Sequence, residues 1–190
     1  MLMKAFLKKA WNFIWHEDSI LSWLVNLVLA FLIVKFIIYP LIGALLGTSF
    51  PLVAVVSSSM EHDMDFQEWW DENKEFYEST MIYMEEFKTF NFKNGFNKGD
   101  IMVLKGVEPK DIKIGDVVVY ENNFNKNPII HRVIEIKQKE GKYSYITKGD
   151  NNFNADPLEV SEEQIKKTGK AVFRLPLLGW VKIIFMGLVS

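Results

Sequence analysis

The chain has 190 residues, enough for one soluble domain plus attachments, with a charged fraction of 24% and a formal net charge of −2. No basic field marks it as a nucleic-acid binder, and none is expected as a partner. Cysteine is absent, which removes disulfides, thiol nucleophiles and Cys-ligated metals without assigning a compartment.

Residues 1–18 set Lys4, Lys8 and Lys9 among Leu2, Phe6, Leu7, Trp11, Phe13 and Ile14. The pattern suits a short amphipathic helix at a membrane surface, N-terminal and cytosolic or interfacial; a poorly ordered terminus is the alternative. From Ile20 to Leu46 the chain is apolar, interrupted mainly by Ser22, Asn26 and Lys35. A span takes ~20 residues, so residues 19–47 read as a transmembrane anchor, with the crossing over about 18–39. Lys35 then lies one turn from the far end. Its ammonium reaches the headgroups there at less than the ~2.5–3.5 kcal/mol charged at a helix centre. The apolar run exceeds the ~7–15 residues of a cleaved signal's core, so an uncleaved anchor is expected. The lysines before it put the N-terminus in the cytosol and residues 48–174 on the other side.

The apolar run gives way to a polar domain at Val55-Val56-Ser57-Ser58-Ser59-Met60. Over residues 64–90, Phe66, Trp69, Trp70, Phe76, Tyr77, Met81, Met84 and Phe87 recur at spacings of three and four, with acids opposite. A packed helix is predicted; adjacent tryptophans also suit a helix resting on the membrane rim. His62, Asp63 and Asp65 lack the spacing of a calcium loop or zinc site, so no metal is expected, and no cofactor.

Asp100–Leu104, Asp116–Tyr120, Ile129–Ile136 and Tyr143–Lys148 are β-branched and aromatic runs separated by turn residues, among them Lys139-Glu140-Gly141-Lys142. The fold class is therefore α+β: a transmembrane helix, then a mainly antiparallel β domain over 48–174 with a helical insertion at about 62–96. A short helix over 161–168 opens with the capping-box pair Ser161 and Gln164. The apolar tail, 175–190, is short for a second span. It packs under the β domain, lies in the interface, or begins a longer span.

A serine hydroxyl is a weak nucleophile until a base takes its proton and a third group orients that base. The chain has three histidines. His16 precedes the anchor, on the other side of the membrane. His62 sits beside Glu61 in what reads as a surface loop. His131 lies in the strand Pro128-Ile129-Ile130-His131-Arg132-Val133-Ile134, where a purely structural role is common. The carboxylate candidates are Asp150 and Asp156, in Gly149-Asp150-Asn151-Asn152-Phe153-Asn154-Ala155-Asp156, although Gly-Asp-Asn-Asn alone is an ordinary turn. A membrane-proximal Ser, a strand His and a loop Asp can converge at one end of a sheet. Lys148 or Lys105 would serve instead in a Ser/Lys mechanism.

The boxes VVSSSMEH (55–62), NKGDIMVLKG (97–106), IKIGDVVVY (112–120), PIIHRVIEI (128–136), TKGDNNFNAD (147–156) and LPLLGWV (175–181) together resemble type I signal peptidase, peptidase family S26. His131, where bacterial relatives have a lysine, points to the archaeal and endoplasmic-reticulum branch. The resemblance leaves out only residues 1–18 and about 62–96. It implies a membrane-bound serine endopeptidase removing N-terminal signal peptides, in the cell membrane or the endoplasmic reticulum membrane. It carries Ser59 over as nucleophile, His131 as base, Asp156 as the triad carboxylate and Asp150 as a supporting one. Ser57 would help the Ser59 N–H hold the oxyanion. The implied partners are preprotein signal peptides, the lipid bilayer and peptidase-complex subunits; the alternative is an inactive structural homologue in such a complex. Departures from the family are His62 in place of a frequent Pro, Ala155 in place of an acid, and the length of 62–96. That insertion is expected to cover one side of the site or touch the bilayer.

Overall fold

A computed structural model describes residues 2–121 and 128–189, which fall into two compact units, Met1–Leu45 and Leu46–Ser190. In the first, helix α1 covers Leu2–His16, so the terminal segment is a helix, not an irregular tail. A second helix runs unbroken over Ile20–Leu46, 27 residues, long and apolar enough to cross a membrane. It is α-helical over Ile20–Ile33 (α2) and Tyr39–Leu46 (α3), with a π-helical turn at Val34–Ile38 between them. Pro40 accounts for that turn. It lacks an N–H, and its ring would strike the Phe36 carbonyl in a regular helix, so the helix widens ahead of it. The Tyr39 N–H accordingly reaches back to the Val34 carbonyl.

The helix continues past Tyr39 to Leu46, so Lys35 lies about three turns from the helix end. Its ammonium rests 5.6 and 5.3 Å from the ring centres of Phe31 and Phe36. The two other polar interruptions are also accounted for. Ser22 Oγ donates to the Phe13 carbonyl at 2.6 Å, and Asn26 Nδ2 to the Ile14 carbonyl at 2.9 Å. A helix leaves its last carbonyls without internal partners; Ser22 and Asn26 serve those of α1 and fasten it to α2.

Among the described residues of the second unit, seven strands form one antiparallel sheet in the order β1-β2-β7-β3-β4-β5-β6. The four expected strands are present as β2 (Ile101–Lys105), β3 (Val117–Tyr120), β4 (Ile129–Lys139) and β5 (Lys142–Lys148). The β4–β5 turn has positive φ at both Glu140 and Gly141, as a two-residue hairpin of matching twist requires. β1 (Leu52–Ala54), β6 (Val160–Ser161) and β7 (Lys170–Leu175) are additions to the sequence reading. β1 and β6 are too short to show an alternation.

The sheet has an apolar cluster on each face. Val117, Val119 and Ile130 pack with Met60, Met102 and Leu104 on one; Val118, Tyr120 and Val133 pack with Tyr145 and Ile165 on the other. Ile165 belongs to α6 (Glu162–Thr168), whose start carries the capping box of Ser161 and Gln164.

The insertion forms α4 (Phe66–Ser79), capped by Asp65, and the short α5 (Met84–Phe87). One helix was expected over 64–90. Met81, with φ of 64°, turns the chain and divides it in two. Trp69, Trp70, Tyr77, Ile82 and Phe87 are buried with Ile134 of β4 in a third cluster. Ile134 has no register partner on β5, because the pairing shifts between Val133 and Glu135. Burial of both tryptophans agrees with a packed helix and not with one resting on a membrane rim.

The tail forms α7 (Trp180–Val189), 10 residues and shorter than a span. Leu177, Leu178, Val181 and Ile184 are largely exposed.

Candidate active site

Successive residues of a strand point to opposite faces. On β4, His131 is in register with Val118, and Arg132 with Val117 and Lys148. The loop after β5 supplies one carboxylate to each face: Asp156 meets His131, and Asp150 meets Arg132.

On the first face, Ser59 Oγ lies 3.0 Å from His131 Nε2, and His131 Nδ1 lies 2.7 Å from Asp156 Oδ2. The same carboxylate oxygen accepts from Thr147 Oγ1 at 2.6 Å and Tyr120 OH at 2.9 Å. Burial works to raise the Asp156 pKa, but the hydrogen bonds from His131, Thr147 and Tyr120 outweigh it and hold the carboxyl below its ordinary value. An ionised carboxylate only accepts, so Nδ1 carries the imidazole proton and Nε2 turns its lone pair to Ser59. Burial, with Asp156 adjoining, pushes the Tyr120 phenol well up and keeps it a donor.

Ser59 is held by its main chain. Its carbonyl accepts the Asn151 N–H at 2.8 Å, and the Ser58 carbonyl accepts from Asn151 Nδ2 at 3.2 Å. Ser57 Oγ stands 3.2 Å from Ser59 Oγ. Gly149 permits this approach: a Cβ there would fall 2.7 Å from the Ser59 carbonyl oxygen and 2.8 Å from His131 Nε2.

The other face of β4 is closed. Arg132 and Asp150 side chains are 0% exposed and form a two-point pair, Nε to Oδ1 at 2.9 Å and one terminal nitrogen to Oδ2 at 2.6 Å. The remaining guanidinium donors reach the carbonyls of Asn91, Gly115 and Phe92, so all five N–H groups are used. Asp150 also accepts from Tyr77 OH and from His62 Nε2, each at 3.1 Å. Burial alone would raise Asp150; Arg132 overrides it and drives the carboxyl far below its usual range.

Two expectations need correcting. His62 is not in a surface loop: its side chain is 1% exposed and its ring stacks on Trp69 at 3.8 Å between centres. Nor does the insertion cover the site, since the cleft holding Ser59 and His131 is lined by Ala54, Val56, Ile129 and Leu158 among others, and by nothing from 62–96. Asp150 is brought near the serine only through its backbone, its N–H lying 3.3 Å from Met60 Sδ. Lys148 shares the Arg132 face, where its ammonium bonds the Gly149 and Asp150 carbonyls; burial lowers its pKa to about 8. Lys105 is exposed at the end of β2. Ser59 thus faces His131, not a lysine. Tyr120, Thr147, Gly149 and Arg132 were not singled out from the sequence. The residue after His131 was the one hint, because alternation puts its charge on the opposite, closed face. Among the described residues, no group of three or more His, Cys, Asp or Glu side chains is arranged for a metal ion.

A hydroxyl, an imidazole and a carboxylate in one hydrogen-bonded line, set on an antiparallel sheet, form the geometry used by serine hydrolases. No family model matches the chain. It is 36% identical over 95 residues to signal peptidase complex catalytic subunit SEC11C of Homo sapiens, covering 47% of this chain and 50% of that protein. To the SEC11 catalytic subunit of Eremothecium gossypii it is 38% identical over 96 residues, 47% of this chain and 57% of the relative. To that of Scheffersomyces stipitis it is 27% identical over 155 residues, 78% of this chain and 74% of the relative. The chain spans about half the length of the human relative. Over these stretches it is similar to proteins named as signal peptidase complex catalytic subunits.

Proposed function

We propose that this chain is a membrane-anchored serine endopeptidase that removes N-terminal signal peptides from preproteins. The observation that carries the reading is the line Ser59 Oγ, His131, Asp156, with spacings of 3.0 and 2.7 Å. His131 Nε2 takes the Ser59 proton as Oγ attacks the scissile carbonyl, and Asp156 holds the tautomer and stabilises the imidazolium. The negative charge on the former carbonyl oxygen is received by the Ser59 N–H and the Ser57 hydroxyl; one such donor is worth about 2.7–4 kcal/mol. The C–N bond breaks as His131 returns its proton to the leaving amine. Water, deprotonated by His131, then hydrolyses the ester on Ser59 and regenerates the hydroxyl.

Cleft residues Ala54, Val56, Ile129 and Leu158 give apolar walls suited to small side chains before the cut. The Ile20–Leu46 helix is the anchor in this reading. Ser59 follows it closely in the chain, and the tether raises the local concentration of a substrate held in the same bilayer. The N-terminus is cytosolic, and the β unit faces the outside or the endoplasmic-reticulum lumen. Because the relatives are named as subunits of a complex, partner subunits belong to the proposal.

The test is cleavage of a labelled preprotein in detergent by wild type, Ser59→Ala, His131→Ala and Asp156→Ala. Trimming by wild type alone, with all variants folded, is the expected result. Cutting by Ser59→Ala would place the nucleophile elsewhere. An inactive structural subunit would take no label from a serine-acylating probe.

A further inference from the structure

Segment 62–96 leaves the chain beside Ser59 and returns to the same place. The Phe96 N–H donates to the Met60 carbonyl at 2.9 Å. His62 lies against Gly95, where a Cβ would fall 2.7 Å from the imidazole Cδ2; Gly95 has φ of +66°. From this closed excursion His62 and Tyr77 donate directly to Asp150, while the Asn91 and Phe92 carbonyls hold its partner Arg132. Asp150 in turn belongs to the turn that grips the serine. Gly149 packs on the Ser59 carbonyl, and the Asn151 N–H donates to it.

We infer that residues 62–96 are an internal brace for Ser59, and that His62 and Tyr77 are positioning residues acting through Asp150. This rests on the reading of Ser59 and His131 given above. An ionised carboxylate offers about four acceptor sites; Arg132 takes two, and His62 and Tyr77 one each. With every site filled, the carboxylate has one orientation, and the 149–151 turn has one position against Ser59. Trp69 stacking holds the imidazole plane, so the bond from Nε2 to Asp150 keeps its direction.

If either donor is removed, a fully buried oxygen is left short of a partner and the turn is free to shift. A displacement near 1 Å between nucleophile and base costs about a hundredfold in rate, so partial loosening corresponds to roughly tenfold. The brace lines no part of the cleft. Its loss therefore falls on kcat, leaves KM in place, and is the same for every substrate.

The experiment uses the full chain in detergent: wild type, Tyr77→Phe, His62→Leu, His62→Gln, and Glu72→Gln as a control on the exposed side of α4. Acylation by a serine-reactive probe, kcat and KM on a preprotein and a short peptide, and thermal unfolding are measured for each. Tyr77→Phe and His62→Leu are expected to acylate roughly five- to tenfold more slowly, with KM within about twofold and equal losses on both substrates. His62→Gln, whose amide can donate to Asp150, should recover most of the rate. Folded variants with lower unfolding temperature but unchanged acylation would overturn the brace and leave the serine assignment standing. A KM effect that differs between substrates would overturn it in favour of a groove role. Wild type without Ser59-dependent labelling would overturn the reading of the site itself. Tyr77→Phe preserves the packed ring, so the comparison survives if His62→Leu fails to fold.

Discussion

Asp150 and Asp156 leave one loop and finish in opposite surroundings. Asp156 stands at the cleft, shares one oxygen among His131, Thr147 and Tyr120, and keeps its imidazole partner in reach of Ser59. Asp150 is sealed behind β4, paired at two points with Arg132, and touches neither Ser59 nor His131 with its side chain. In the proposed mechanism the same residue type thus serves proton chemistry on one face and rigid placement on the other. Strand alternation makes the division: His131 and Arg132 are adjacent in sequence and face opposite ways.

Substitutions at the two carboxylates test that contrast most severely. Asp156→Asn should slow acylation about 10³–10⁴-fold while the protein stays folded, because the imidazole loses its preferred tautomer. Asp150→Asn should cost about 3–5 kcal/mol of stability, read by thermal unfolding, since the buried Arg132 charge loses its counter-ion. If the two variants behaved alike, the division of labour would be wrong.

Gly149→Ala sits between them. Its methyl would displace both the Ser59 carbonyl and the imidazole, and a loss near a hundredfold in kcat is expected, with a smaller change in unfolding temperature.

Acid sharpens the comparison further. Both carboxyls have native pKa values below the unfolded value of ~3.9. Their stabilisation is therefore complete above that pH and lost as pH falls through the lower native values. Unfolding scans from pH 7 to 2 should show a shallower acid-side loss for Asp150→Asn than for Asp156→Asn, because Asp150 is the more strongly lowered group. The smallest effect is expected for Tyr120→Phe. It removes one of three donors to Asp156 and should slow acylation only several-fold, since one neutral hydrogen bond contributes about 0.5–1.5 kcal/mol.

Legibility in the sequence followed locality. The Ile20–Leu46 helix, strands β2 to β5 and the Ser161–Gln164 cap were readable because length, alternation and capping are properties of short windows. β1 was hidden in the apolar run that continues from the helix, and Met81 gave no warning of a left-handed turn inside a helical pattern. Ser59, His131 and Asp156 were named through the order of the boxes, and the structure brings them into one hydrogen-bonded line.

Composition and periodicity alone determined that an apolar helix precedes an antiparallel β unit, and that aromatics in 64–90 seek burial. Only the tertiary structure decided what they are buried against. His62 looked like a loop residue because its immediate neighbours, Glu61 and Asp63, are acidic. Its cover is Trp69 and Gly95, and its partner, Asp150, comes from a loop far along the chain. Long-range pairing of this kind leaves no trace in a local pattern, since a polar side chain reads the same whether water or a distant carboxylate satisfies it.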